Sequence, residues 1–563
     1  MNSKETFSFS RLFEKSHEQS WEALAVVLFD DAGAMFRVSR AELMARAAHY
    51  SDFLRSKGIE HGQNVLLCLP HSVELVSWLC GCFLSQVVPS ILASPARGRG
   101  EKGNWERIRR AASQVDAAAA VVMLEWKNEL QLELKDMACQ VLSSGSERID
   151  AGVPKVWSSP DMNIPGYVQF TSGSTGSSKG VVLSGAAIKA CLQSMAEAIA
   201  LTKKDTVVSC LPLSHDFGLF AGMLMPLMAG VPVVLISPSM WVRRPAMLLQ
   251  QIHNCKGTIA WLPNSGFVHC ARFVRDREMA DIDLKGLRLI INGAEPILHS
   301  SNQMFLTRFS EYGLKESALA TGYGMAENTL GVTYSMPGKR APVVFVHGPD
   351  LANKGIVRIV PEANPNSVAV VSCGQPLKGT KIQILGKGGD ILPEFYVGEI
   401  VIQSESLFSE YAGDKISTDQ ALVDGWFHTG DLGFMIGNDL FFSGRMKDLI
   451  IVGGRNISPV ELERVAAEVP GVRSGQVVAF GVPDESLGTE RIVIVCAVRM
   501  SEHSETKDTL VRKIRQHIAG KTGMSVSEVR LVRKGWIEKT GNGKLARSRN
   551  REKYIREGSN GNG

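Results

Sequence analysis

The chain has 563 residues, 44% hydrophobic and 21% charged, with 62 Lys+Arg against 57 Asp+Glu for a net charge of +5. That length exceeds one ordinary core and predicts at least two domains, while the average composition excludes a disordered, collagenous or coiled-coil chain. The charge is too small to argue for nucleic-acid binding, and the ten cysteines form no CxxC pair and no Cys/His cluster of zinc spacing.

Met1–Leu12 carries Lys4 and Glu5 but no apolar stretch of signal-peptide type, so a reduced, cytoplasmic protein is expected. Val65–Leu69 reads as a strand followed by an apolar helix. Between Thr206 and Thr321, β-rich runs alternate with helical ones. Thr206–Leu211, Val231–Ile236, Gly257–Leu262 and Gly286–Ile291 read as buried strands, and Pro245–Asn254 and His299–Phe309 as helices. Such alternation predicts parallel strands with crossover helices on both faces. Phe217–Ile236 runs 20 residues without a charge, the length of a membrane span. Gly230-Val231-Pro232 divides it into a helix-like Phe217–Ala229 and a strand-like Val233–Ile236, and no Lys/Arg cluster flanks it immediately. A buried core element, not a transmembrane segment, is expected.

After Gly331 the short candidates Val343–Val346, Ile356–Val360, Val368–Ser372, Thr380–Leu385 and Gly398–Ile402 predict a β-rich part over about 331–445, nearly without helices. Near Arg445 the texture changes again. Ser458-Pro459-Val460-Glu461 has the pattern of a capping box with proline at the first helical position, opening a helix to about Val469. Strands near Gly475–Gly481 and Arg491–Val498 follow. Lys507–Ala519 is an amphipathic helix with Leu510, Val511, Ile514 and Ile518 on one face, completing a small α+β domain. The expected domains are 1–445 and 446–563, with the Gly/Asn/Ser-rich tail Glu557–Gly563 disordered.

Chemistry concentrates first in Thr171-Ser172-Gly173-Ser174-Thr175-Gly176-Ser177-Ser178-Lys179-Gly180, between strand-like Tyr167–Phe170 and Val181–Leu183. Glycines that expose backbone N–H groups, hydroxyl donors and one lysine are the components of a phosphate cradle. The decapeptide is not Walker A, because Ser177-Ser178 separate glycine from lysine, and it fits neither GxGxxG nor GxSxG. Alone, it suits a flexible polar loop equally well. Downstream come Leu211-Pro212-Leu213-Ser214-His215-Asp216-Phe217-Gly218, Asn292-Gly293-Ala294-Glu295-Pro296 and Gly322-Tyr323-Gly324-Met325-Ala326-Glu327-Asn328. Then follow Thr429-Gly430-Asp431, Gly444-Arg445-Met446-Lys447-Asp448 and Lys539-Thr540-Gly541-Asn542-Gly543-Lys544.

This ordered series resembles the adenylate-forming superfamily of acyl-CoA synthetases, luciferases and peptide-synthetase adenylation domains, over nearly the whole chain. Its closest likeness is to the fatty acyl-AMP ligases. His215-Asp216-Phe217-Gly218-Leu219 is similar to their His-Asp-Met-Gly-Leu, Asn292–Pro296 to their Asn-Gly-Ala-Glu-Pro, and Gly454-Arg455-Asn456 to their Gly-Arg-Asn. The 42-residue segment Gly331–Ser372 is longer than acyl-CoA synthetases carry between the corresponding motifs. In the ligases it resembles, an insertion here (331–372) is associated with poor use of coenzyme A. Two departures stand out: Ser178 precedes Lys179 where the family commonly has proline, and no proline precedes Lys539-Thr540.

The resemblance implies an α/β fold: a large N-terminal adenylate-forming domain of parallel-sheet subdomains plus a β-rich subdomain, and a small mobile α+β C-terminal domain. It implies activation of a fatty acid by ATP with Mg²⁺, Lys544 bridging the carboxylate and the α-phosphate. Thr171, Ser172, Gly173, Ser174, Thr175, Gly176 and Lys179 would hold phosphates, with Glu327 and Thr171 on the metal. Gly293, Ala294, Glu295, Tyr323, Gly324, Met325 and Ala326 would bind the ATP or AMP, with Tyr323 stacking on adenine and the Gly293-Ala294 backbone approaching closely, and Asp431, assisted by Arg445, would accept from the ribose hydroxyls. His215 would gate an acyl pocket with Phe217 and Gly218, Lys447 would be the hinge between lobe orientations, and Gly453-Gly454 would border the thiol tunnel.

The expected acceptor is an acidic acyl carrier protein or a polyketide/peptide-synthetase carrier domain, with coenzyme A less favoured and no nucleic-acid partner. The 15 Lys/Arg against 4 Asp/Glu between Lys507 and Arg556 suit an acidic protein. The alternatives are an acyl-CoA synthetase and a catalytically silent acyl-adenylate-binding protein. An amino-acid substrate is disfavoured because no acidic residue is clearly placed to pair with an α-amino group.

Overall fold

The computed structural model describes residues 23–95, 101–144, 165–171, 178–452, 455–484, 489–498, 507–539 and 544–559. Among them the largest sheet has nine strands, ordered Gln375–Pro376, Gly331–Tyr334, Leu319–Gly324, Leu289–Gly293, Ile259–Pro263, Val207–Ser209, Val233–Ile236, Leu24–Phe29 and Met35–Ser39. The inner strands, from Leu319–Gly324 to Leu24–Phe29, pair in parallel, as the β/α alternation predicts. Such strands are covered on both faces and so are apolar throughout. Ile259 and Trp261 enter one core, Ala260 and Leu262 the opposite one. The helices Ala246–Asn254 and His299–Phe309 fall where expected. A second parallel sheet contains Val88–Ile91, Asn64–Leu67, Ala119–Met123 and Gln140–Ser144.

The uncharged run divides as predicted, but its first half, Phe217–Leu224, is a π-helix, continued by the α-helix Met225–Ala229; the strand Val233–Ile236 follows. Two glycines permit the close fit. A Cβ on Gly218 would lie 2.3 Å from Pro212 O, and one on Gly222 2.6 Å from Ser209 Oγ. Among the described residues no helix is long and apolar enough to cross a membrane.

The β-rich part pairs Thr380–Leu385, Gly398–Ser404 and Trp426–Ile436 antiparallel, with Asp439–Arg445 on the last. Two expectations fail here. Helices Gly348–Lys354 and Lys415–Ala421 interrupt it, and Ile356–Val360 forms no strand, only the bridges Val346↔Ile359 and Ile356↔Tyr396.

The C-terminal part pairs Val472–Asp484, Thr489–Val498 and Glu528–Val532 against helices Pro459–Ala467 and Lys507–Thr522. The capping box does not form. Ser458 Oγ donates to Ser443 O at 2.8 Å instead. Glu461 is buried with Oε1 unpartnered, and burial pushes its carboxyl up to about 7. The start of the expected tail is helical instead: Glu557 belongs to the helix Arg547–Ser559 and accepts from Arg530 and Trp536, while residues 560–563 lie outside the described residues.

The insertion is not a free excursion. Val343–His347 pairs with Ser367–Val371, and Val346, Leu351, Val368 and Val370 share one apolar core with Leu462, Val465, Ile514 and Ile518 of the C-terminal part. Lys521 Nζ donates to Ser367 O at 2.9 Å, and Arg464 donates to Ala369 O. Replacing Ile514, fully buried in this core, by alanine is expected to cost about 2–5 kcal/mol, read by urea unfolding.

Candidate active site

The hairpin Pro165–Phe170/Gly180–Ser184 carries the Gly/Ser/Thr loop at its tip. Thr171 N–H donates to Lys179 O at 2.9 Å and closes it. Ser172, Gly173, Ser174, Thr175 and Gly176 lie outside the described residues, as do Gly453-Gly454 and Thr540 to Gly543. The loop base opens onto a cavity of about 590 Å³ between the parallel sheet, the β-rich part and the C-terminal lobe. Thr171, Lys179, His215, Phe217, Gly293, Ala294, Tyr323, Gly324, Met325, Ala326, Glu327, Asp431, Arg445, Lys447 and Lys544 all line it.

Two of the expected residues fall elsewhere. Gly218 is absent from the wall because it is pressed against the Pro212 carbonyl. Glu295 faces a neighbouring cavity of about 230 Å³, where it accepts from Ser265 N–H at 2.6 Å and Ser265 Oγ at 3.1 Å.

Asp431 and Arg445 are cross-strand partners, so sheet register alone brings them together. Arg445 Nε meets Asp431 Oδ1 at 2.9 Å, and Tyr323 Oη donates to Oδ2 at 2.9 Å. Burial raises the Asp431 carboxyl, against the opposing pull of Arg445, Tyr323 and Lys544. Behind them His428 Nδ1 pairs with Glu399 Oε2 at 3.0 Å, while Gly430 N–H donates to Glu399 Oε1 at 3.1 Å, fixing the Thr429-Gly430-Asp431 turn.

Lys179 Nζ stands 4.1 Å above the Tyr411 ring, and Tyr411 Oη donates to Glu327 Oε1 at 3.0 Å. Burial raises the Glu327 carboxyl despite that bond and the nearby Arg445. A divalent cation would relieve this buried charge. One carboxylate with the Thr171 hydroxyl is the sparse oxygen set that magnesium uses when phosphates complete its shell, so the residues present fit the ion.

Lys544 enters from the C-terminal lobe. Burial lowers its ammonium, opposed by Asp216, Glu295 and Asp431. Asp216 is 8% exposed; Oδ1 accepts from Phe217 N–H at 2.6 Å and pairs with His215 Nδ1 at 2.5 Å. Burial alone would raise that carboxyl, but His215 and Lys544 outweigh it and hold it below the ordinary value. Beyond His215 the wall becomes apolar, with Phe217, Ile291, Leu330, Gly331 and Tyr334.

Sequence reasoning missed several groups. Asp216 is visible only as part of a motif, and Tyr411 and Glu399 carry no local signal because their partners are 84 and 29 positions away. Arg547 is another. It joins Asp448, beside Lys447 in the turn Met446–Asp448, to Glu463 at 2.9 and 3.0 Å.

Residues 13–412 match the family model described as AMP-binding enzyme. Similar proteins include the medium-chain-fatty-acid–(acyl-carrier-protein) ligase of Moorena producens (strain JHB), 31% identical over 562 residues, 96% of this chain and 94% of that protein. Another is the long-chain-fatty-acid–AMP ligase of Mycolicibacterium smegmatis, 30% identical over 70% of this chain and 69% of that one. A structure from a study of fatty acyl-adenylate ligases from E. coli and L. pneumophila matches with a TM-score of 0.88 at 27% identity. It covers 99% of this chain and 100% of that one.

Arg547 is expected to be structurally indispensable. Arg547→Met leaves Asp448 and Glu463 without their cation and should cost about 3–5 kcal/mol in denaturant unfolding.

Proposed function

The chain belongs to the AMP-binding enzyme family, and we propose that within it this protein is a fatty acyl-AMP ligase that passes its acyl group to a carrier-protein thiol. One observation carries the first half of that reading: a single cavity is lined by the half-buried Lys544, the Asp431–Arg445–Tyr323 cluster and an apolar extension at Phe217, Ile291 and Leu330.

A carboxylate cannot acylate a thiol directly, because its leaving group would be oxide. Its oxygen instead attacks the α-phosphorus of ATP; the carboxyl O–P bond forms, the bond to pyrophosphate breaks, and acyl-AMP results. Attacker and target are both anions, so the site must hold them together and supply positive charge as they join. Lys544 provides that charge. Asp431 and Arg445 hold the ribose, Tyr323 and the Gly293-Ala294 backbone flank adenine, and Lys179 with the loop after Thr171 holds phosphates. Magnesium on Glu327 and Thr171 would neutralise triphosphate oxygens. His215 stands between Asp216 and the apolar wall, where the carboxyl end of an acyl chain enters. In the second step a thiol sulfur attacks the acyl carbon, a thioester forms and AMP leaves.

We place the domain boundary at Arg445/Met446, with Lys447 as the hinge about which the lobe turns to withdraw Lys544. The apolar core shared by the insertion and the lobe opposes that rotation. A protein-borne phosphopantetheine brings docking energy of its own to overcome this, whereas free coenzyme A brings little. The basic surface of the lobe suits an acidic carrier.

Fatty-acid-dependent exchange of pyrophosphate into ATP tests the first step, and its absence with every acid would leave only a silent adenylate-binding protein. Lys544→Ala is expected to lower that exchange by about 10²–10³. Acyl transfer to a holo carrier protein should outrun transfer to coenzyme A; rapid acyl-CoA formation would identify an acyl-CoA synthetase instead.

A further inference from the structure

The wall formed by Phe217, Ile291, Leu330, Gly331 and Tyr334 is apolar apart from one side chain. Tyr334 lines it at 7% exposure, and no hydrogen bond within the described residues holds its hydroxyl. Burial raises the phenol well above its ordinary value, so the group is a neutral donor. Directly behind it lies Trp261, fully buried, with its ring 5.8 Å from Tyr334 and 5.7 Å from Phe217; its indole N–H also has no partner. A fully buried donor without an acceptor, as the Trp261 N–H is, is rare in native proteins because it costs the desolvation of the group; the Tyr334 hydroxyl, in the cavity wall, is instead a donor open to whatever the cavity binds. A wall built only to hold a saturated chain is better made with phenylalanine at position 334.

The place of Tyr334 along the pocket follows from two glycines. A Cβ on Gly322 would lie 2.4 Å from Cδ1 and Cε1 of Tyr334, so the ring covers this glycine. A Cβ on Gly293 would meet Gly322 O at 3.2 Å and Phe217 Cζ at 3.5 Å. Gly322 adjoins Tyr323 of the nucleotide cluster, and Phe217 follows Asp216. The phenol therefore stands beside the junction of the nucleotide and acyl halves, near where the carboxyl end of the acid must lie.

We propose that Tyr334 selects a carboxylic acid bearing a hydroxyl or keto oxygen close to its carboxyl end, to which the Tyr334 hydroxyl donates. This rests on the acid-activating function above and refines its substrate class. Trp261, with its ring 5.8 Å from that of Tyr334, supports it from behind.

The test compares acids of one chain length, unsubstituted or carrying a hydroxyl or keto group at successive carbons from the carboxyl end, by kcat/KM in pyrophosphate exchange. For the wild-type protein the best oxygenated acid is expected to exceed its unsubstituted counterpart by about tenfold. Tyr334→Phe should bring that ratio close to unity. Equal use of both acids by the wild-type protein overturns the inference without any variant. So does a Tyr334→Phe protein in which both rates fall in proportion, since that is the mark of a purely structural ring. Exchange with plain acids alone refutes the substrate class and leaves the ligase reading standing, while absence of exchange with every acid removes both.

Discussion

A half-buried lysine ammonium balanced by carboxylates sets the terms for the rest of this molecule. Left to burial, Lys544 would tend to lose its proton; Asp216, Asp431 and Glu295 oppose that tendency from the sheet side. Their negative charge needs support in turn. His215 pairs with Asp216, Arg445 and Tyr323 with Asp431, and the Ser265 N–H and hydroxyl with Glu295. The cation comes from the C-terminal part and the anions from the preceding part of the chain, so this balance spans the two.

Docking has a second, apolar component. The strand pair Val343–His347/Ser367–Val371 belongs to the large domain by chain order, yet its side chains complete the core of the lobe. Electrostatics at the cavity and burial at the insertion therefore favour the same orientation. Arg547 adds a third tie beside the turn Met446–Asp448. The lobe is thus held at three places.

The acyl side shows a comparable division of labour. Gly218 and Gly222 let a π-helix settle onto the sheet so that Phe217 reaches the cavity. Phe217 and Tyr334 then line the cavity beside Gly322 and Gly293, with the buried Trp261 ring packed against both. The uncharged run in the sequence is thus a cavity wall laid on the parallel sheet, with its polarity adjusted at Tyr334.

The sequence by itself determined the parallel α/β core, because strands covered on both faces must be apolar along their whole length, and it determined the identity of most cavity residues, because their motifs are contiguous. It did not determine which side chain answers which. Tyr411 with Glu327, Glu399 with His428 and Arg547 with Asp448 meet across long stretches of chain, and pairings of that kind follow from tertiary packing rather than from any local pattern. Local rules also lost where packing overruled them. Ser458 turned from capping its helix to Ser443, and Glu461 went into the interior. Gly218 served a close approach to Pro212 instead of the pocket wall, and the insertion became part of a core that chain order assigns to another domain.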